Sequence, residues 1–153
     1  MASKRTLVPR AVDAKRSAQC NAMDSLTIKS SCSDCSLSFR ERDGEYFKVV
    51  LTSHDHSASV RVWGYEDSHL LASLFQKMLQ LTNDKSAELS WCSIEGEFEL
   101  HATADKVGHI YLRAVLNNVN KGTFEPWKLE ATIASEIGQI EKAAKEVSIF
   151  FKN

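Results

Sequence analysis

His101 and His109 lie on either side of a short turn in the stretch WCSIEGEFELHATADKVGHIYL, residues 91–112. Together with Glu99, Tyr111 and Arg113 they put a base, an acid and a cation on what alternation predicts to be one strand face. That is enough for proton-transfer chemistry, so His101 and His109 are the candidate catalytic residues of an enzymatic reading. The solvent side of any antiparallel sheet collects the same residue types as cross-strand pairs, which is the plainer reading. Glu95, Glu97 and Glu99 recur at every second position and are joined by Glu88, Glu125 and Glu130 elsewhere. Like charges repeated along a face cost stability, so this pattern predicts an acidic surface that receives a basic partner. The candidate partner-binding set is therefore Glu95, Glu97, Glu99, His101, His109 and Arg113.

Metal and thiol chemistry have weaker support. His54 and His56 would project the same way if one strand ran through both, but zinc needs a third and usually a fourth ligand that no nearby motif supplies. Cys32-x-x-Cys35 is a lone pair within a Ser-rich turn, without the second pair of a zinc site or the following helix of a redox site. No phosphate-cradling glycine loop, dinucleotide fingerprint or nucleophile elbow occurs, and no cofactor is expected.

The elements that must position these residues follow from periodicity. Strands are predicted at about 25–30, 34–41, 45–53 and 57–63, with Asp43-Gly44 as a hairpin turn between Phe39 and Phe47. A helix from about 66 to 82 carries Leu70, Leu71, Leu74, Phe75, Met78 and Leu79 as a broad apolar stripe. A strand around 87–92 leads into the hairpin, whose apolar set is Phe98, Leu100, Ala102, Ile110, Leu112, Ala114 and Leu116. A strand at about 126–134 places Trp127, Leu129, Ala131 and Ile133 on one face, and a helix from about 136 to 151 closes the chain. The order ββββ-α-ββββ-α, with short connections, predicts an α+β fold: a largely antiparallel sheet with two helices packed on one face. Two similar halves are suggested, without a residue-level repeat.

At 153 residues the chain suits one domain, assigned to residues 24–153. Residues 1–23 carry five basic side chains against Asp13 alone and read as a separate, disordered basic leader, with Met23 as an alternative start and a targeting arm as the functional alternative. The remaining body holds 14 basic and 19 acidic residues, a balance of −5 that speaks against a broad nucleic-acid surface. No apolar run approaches membrane-spanning length and no secretory signal is present. A cytoplasmic protein with reduced thiols is the expectation.

The run Trp91-x-Ser93-x-Glu95-Gly96-x-Phe98-x-Leu100-x-Ala102-x-x-Asp105-x-x-Gly108-His109-Ile110-x-Leu112 resembles the signature of an uncharacterised family of small bacterial α+β proteins. Trp127-x-Leu129-Glu130-Ala131 and Gly138-Gln139-Ile140-Glu141 are similar to it as well, and the resemblance covers roughly residues 24–153. It implies a compact α+β domain and a bacterial source, and supplies no activity or catalytic residue. The function expected from size, acidity and missing catalytic motifs is a small protein-binding module, in one version an immunity protein that neutralises a toxin. The alternatives are a small enzyme using His101 and His109, and a structural or regulatory subunit.

Overall fold

The computed structural model of the chain describes residues 23–84, 86–118 and 125–152. The expected basic leader therefore lies, except for Met23, outside the described residues. Two four-stranded antiparallel meanders make up the fold, each followed by a helix. The first sheet runs β1 (Ser25–Lys29), β2 (Ser36–Asp43), β3 (Tyr46–Ser53) and β4 (His56–Trp63), and is followed by α1 (Ser68–Met78). The second runs β5 (Leu89–Cys92), β6 (Phe98–Ala104), β7 (Ile110–Asn117) and β8 (Lys128–Ser135), and is followed by α2 (Ile137–Phe150). The predicted order holds, but the strands form two sheets rather than one, because each meander closes its own ladder and no β4–β5 pairing joins them.

Period-two alternation decides which side of each strand is buried. Phe39, Phe47, Val49, Leu51 and Val62 in the first sheet, and Phe98, Leu100, Ala102, Ile110, Leu112, Ala114 and Leu116 in the second, point into one shared core. The ring of Phe39 is its hub, with Phe47 of β3, Phe75 of α1, Phe98 of β6 and Phe151 beyond α2 all at centroid distances between 5.8 and 6.4 Å. Leu70 departs from the expected helix stripe: it is 48% exposed, while Leu71, Leu74, Phe75 and Met78 carry the buried face.

The helices cross between the halves. Besides packing on each other, α1 lies on β5, the first strand of the second sheet, and α2 lies on β1, the first strand of the first. Each sheet thus buries its edge against the helix that follows the other sheet, and the loop after β1 adds a bond from Ser31 N to Ala134 O of β8 (2.8 Å). Helix α2 begins with a capping box in which Glu136 and Gln139 satisfy each other's backbone N–H, and Ser135 Oγ donates to the same Gln139 side chain (3.0 Å). Its C-terminal end is held by Arg42, whose Nη1 donates to Phe150 O (2.8 Å) and Lys152 O (2.9 Å). A bulge in β2 aims that arginine: register passes from Arg40↔Lys48 to Asp43↔Tyr46, with Glu41 at φ +49°. Among the described residues no helix is long and apolar enough to cross a membrane.

Candidate functional site

The second sheet presents an outward face built from alternate residues of β5 to β8. In one row Ser90, His101, Arg113 and Thr132 stand opposite one another; in the next are Cys92, Glu99 and Glu130, with Val115 between the two glutamates fully buried. His101 is held between two carboxylates. Its Nε2 is 3.5 Å from Glu99 Oε2, and its buried Nδ1 is 3.3 Å from Glu88 Oε1 but off the line of a hydrogen bond. Arg113 Nη1 reaches Glu130 Oε1 at 3.4 Å, and Lys128 Nζ reaches the other oxygen at 3.7 Å. Opposite charges thus meet at Glu130, while His101 stands beside Glu99.

His109 belongs to a different cluster. Asp105 Oδ1 accepts the backbone N–H groups of Val107, Gly108 and His109 at 2.8 to 2.9 Å, while its Oδ2 binds His109 Nδ1 (2.8 Å) and accepts from Tyr111 Oη (3.1 Å). The His109 side chain, followed by those three N–H donors, holds the Asp105 carboxyl well below the usual carboxylate range. The same carboxylate pushes the Tyr111 phenol up, helped by partial desolvation and the nearby Cys32 thiol. Gly108, at φ +102°, lets the chain turn back toward Asp105, a conformation that side chains with a Cβ rarely adopt. His101 pairs with Arg113, four residues along β7 from His109, a separation of about 13 Å at strand rise. The two histidines therefore do not share one site, and a two-histidine catalytic pair is not formed.

The expected acidic stripe also breaks up. Strand β6 begins at Phe98, so Glu95 and Glu97 lie in the β5–β6 turn and only Glu99 stands on the outward face. Glu95 is exposed at that turn, while Glu97 folds inward and is 7% exposed. Ser93 Oγ donates to Glu97 Oε2 (2.6 Å) and accepts from Phe98 N (3.1 Å), and Gly96 closes the turn at φ +76°. Burial, reinforced by the Glu95 carboxyl beside it, pushes the Glu97 carboxyl up against the opposing Ser93 bond. Asn117 ties the turn to β7 through Nδ2 to Gly96 O (3.0 Å). Cys92, next to this turn, has its thiol pushed up by burial and then by Glu99 and Glu97, the opposite of an activated nucleophile.

The condition for His54 and His56 to face one ion, a strand running through both, is not met. The β3–β4 turn falls at residues 54–55, so no strand runs through both; His54 instead binds Asp34 (3.0 Å) and His56 pairs with Ser53. Among the described residues no group of three or more His, Cys, Asp or Glu side chains is placed to hold a metal. Cys32, Cys35 and Cys92 are free thiols, and Cys35 donates to Ser53 Oγ (3.4 Å).

The sequence marks Asp105 and Gly108 as turn residues, and the spacing Asp-x-x-Gly-His is that of a carboxylate that caps its own turn; the reach of Asp105 to His109 and Tyr111 comes from the structure.

Fold and site together define an α+β protein of two interlocked antiparallel meanders. The family described as a family of unknown function, DUF6228, matches residues 25–153, and the chain belongs to it. The comparison with curated proteins finds no match. Among solved structures the chain is similar to one described as the crystal structures of Trypanosoma bruciei MRP1/MRP2, at 9% identity and a TM-score of 0.44, covering 81% of this chain and 79% of that one.

Proposed function

We propose that this chain is a binding module that holds a protein partner on the outward face of its second sheet. The observation that supports this is the arrangement of Glu99 and Glu130 in one row with His101 and Arg113 in the next. Two carboxylates ranged beside a guanidinium and an imidazole on a rigid sheet select a partner by complementary charge and hydrogen bonding and orient it on approach. The surface is centred on Glu99, His101 and Arg113, with Glu88 and Glu130 added to the set read from sequence. Glu95 contributes from the turn, Glu97 supports that turn from inside, and His109 sits apart.

One concrete version is a cytoplasmic immunity protein that neutralises a toxin. The test is salt-dependent capture of a partner from the native host by the chain and by its Glu99→Lys/Glu130→Lys variant. A partner held equally by both sinks the assignment of this face. Protection of cells that co-express a toxin encoded beside this chain, lost in the same variant, is the result expected of the immunity version.

A catalytic reading is favoured by one observation, the Asp105–His109 contact, which orients an imidazole as an acid–base residue requires. Its test is His109→Ala, which has to abolish a turnover in a chain that is still fully folded at the assay temperature.

A further inference from the structure

The first sheet has an outward face of a different character. Arg40, Lys48 and Arg61 stand directly opposite one another on β2, β3 and β4, a row of three cations about 10 Å across at ordinary strand spacing. Like charges in direct cross-strand register destabilise a sheet, so this row costs stability wherever nothing anionic meets it. The counter-charges are at the rim: Glu41 in the bulge, 3.3 Å from Lys48, Asp43, 3.9 Å from Arg61, and Glu45, which accepts from Trp63 Nε1 at 3.0 Å, all exposed. In the two rows beyond, every position is Ser, Thr, Val50 or Lys29, with no carboxylate. A dent of about 160 Å³ opens between Lys48, Ser59 and Arg61, with Glu41 on its rim. On the other side of the cation row, about 7 Å along the strands, Tyr46 pairs with Trp63. Tyr46 is 39% exposed with Arg61 over its ring at 4.2 Å, and Trp63 is 5.3 Å from the exposed ring of Tyr65.

We infer that this face binds single-stranded nucleic acid. Arg40, Lys48 and Arg61 meet successive phosphates, the hydroxyl rows donate to phosphate and sugar oxygens, and the Tyr46, Trp63 and Tyr65 rings offer surfaces for unpaired bases. An acidic peptide would satisfy the cations and leave the rings without a role. A duplex keeps its bases stacked away from a flat sheet. The net acidity of the body does not oppose this, because net charge averages over two faces that the fold separates. The site is independent of the partner face proposed on the second sheet.

The test is titration of the full chain with a labelled oligo(dT) and oligo(U) of about 10 nucleotides, a length within the range one small binding domain covers. Three phosphate contacts predict that log K falls with log salt at a slope of about −2, about −0.7 per contact. In Arg40→Gln/Lys48→Gln the slope is expected to drop to about −0.7. Affinity in that variant should fall at least about tenfold. Tyr46→Ala should lose about tenfold with the slope unchanged. Binding that is undiminished in the double variant would place the contact on the basic residues 4–16 and overturn the inference. So would equal binding of poly-glutamate or of anionic vesicles, or no binding of either oligonucleotide at about 50 mM salt.

Discussion

The Ser93 hydroxyl donates to the Glu97 carboxylate across 2.6 Å, and both residues are buried beneath the β5–β6 turn. This bond supplies the acceptor with a partner but does not offset the burial of its charge, so the Glu97 carboxyl is raised. A raised carboxyl contributes stability that is full below the ordinary carboxylate range and is lost as pH rises through the folded-state value. Glu97→Gln keeps an acceptor for Ser93 and removes the charge. Its melting temperature relative to the parent is expected to increase from pH 4 to pH 8; a difference that does not vary with pH would show that Glu97 is not a strained carboxyl. Ser93→Ala, which leaves Glu97 and Phe98 N without their partner, should cost about 1.5–3 kcal/mol by chemical denaturation at neutral pH.

Asp105 has the opposite sign. Its carboxyl is depressed by His109 and by three backbone donors, so the stability it contributes is present above the ordinary carboxylate range and is lost as pH falls. Asp105→Ala should lower the melting temperature at pH 7, and the deficit should narrow in acid as the parent protonates. His109→Ala leaves the three N–H bonds in place and should have the smaller effect. A larger loss from His109→Ala would refute the assignment of Asp105 as the hub of the turn.

Phe39 touches four other phenylalanines contributed by β3, α1, β6 and the segment after α2. Removing its ring leaves a cavity where both sheets and α1 meet, and Phe39→Ala should cost about 3–5 kcal/mol. Both halves should unfold together in that variant. Separate transitions for the two sheets, read by Trp63 against Trp91 fluorescence in single-tryptophan chains, would contradict the interlocked core.

Arg42 closes the C-terminal end of α2 through Phe150 O and Lys152 O, and its guanidinium lies 5.8 Å from the Phe151 ring. Arg42→Ala should destabilise by about 1–2 kcal/mol and speed amide exchange in the last turn of α2, leaving its capped first turn unchanged. Uniform exchange along the helix would locate the role of Arg42 elsewhere.

Much of the fold was legible because its causes are local. Alternation in β6 and β7 named the buried residues from Phe98 to Leu116, and the spacing of Leu71, Leu74, Phe75 and Met78 named the buried stripe of α1. The site was less legible. Alternation predicts an acidic stripe back through Glu97 and Glu95 only if the strand continues, and Gly96 with its positive φ ends it before Phe98. A residue two positions away shares a face only while the strand continues. The same condition fails between His54 and His56.

What the sequence determined by itself is the order of elements, their inward faces and the turn chemistry of Asp105, Gly96 and Gly108, since each depends on dihedral preference and on neighbours a few residues away. Tertiary structure alone decided that there are two sheets, that α1 serves the second and α2 the first, and that charge is sorted between two outward faces. It turned the row of Arg40, Lys48 and Arg61, aligned by two successive hairpins, away from the shared core. It also moved His109 away from His101. Each turn fixes the register of its own hairpin, whereas the way the apolar faces of the two sheets meet is settled only in the core.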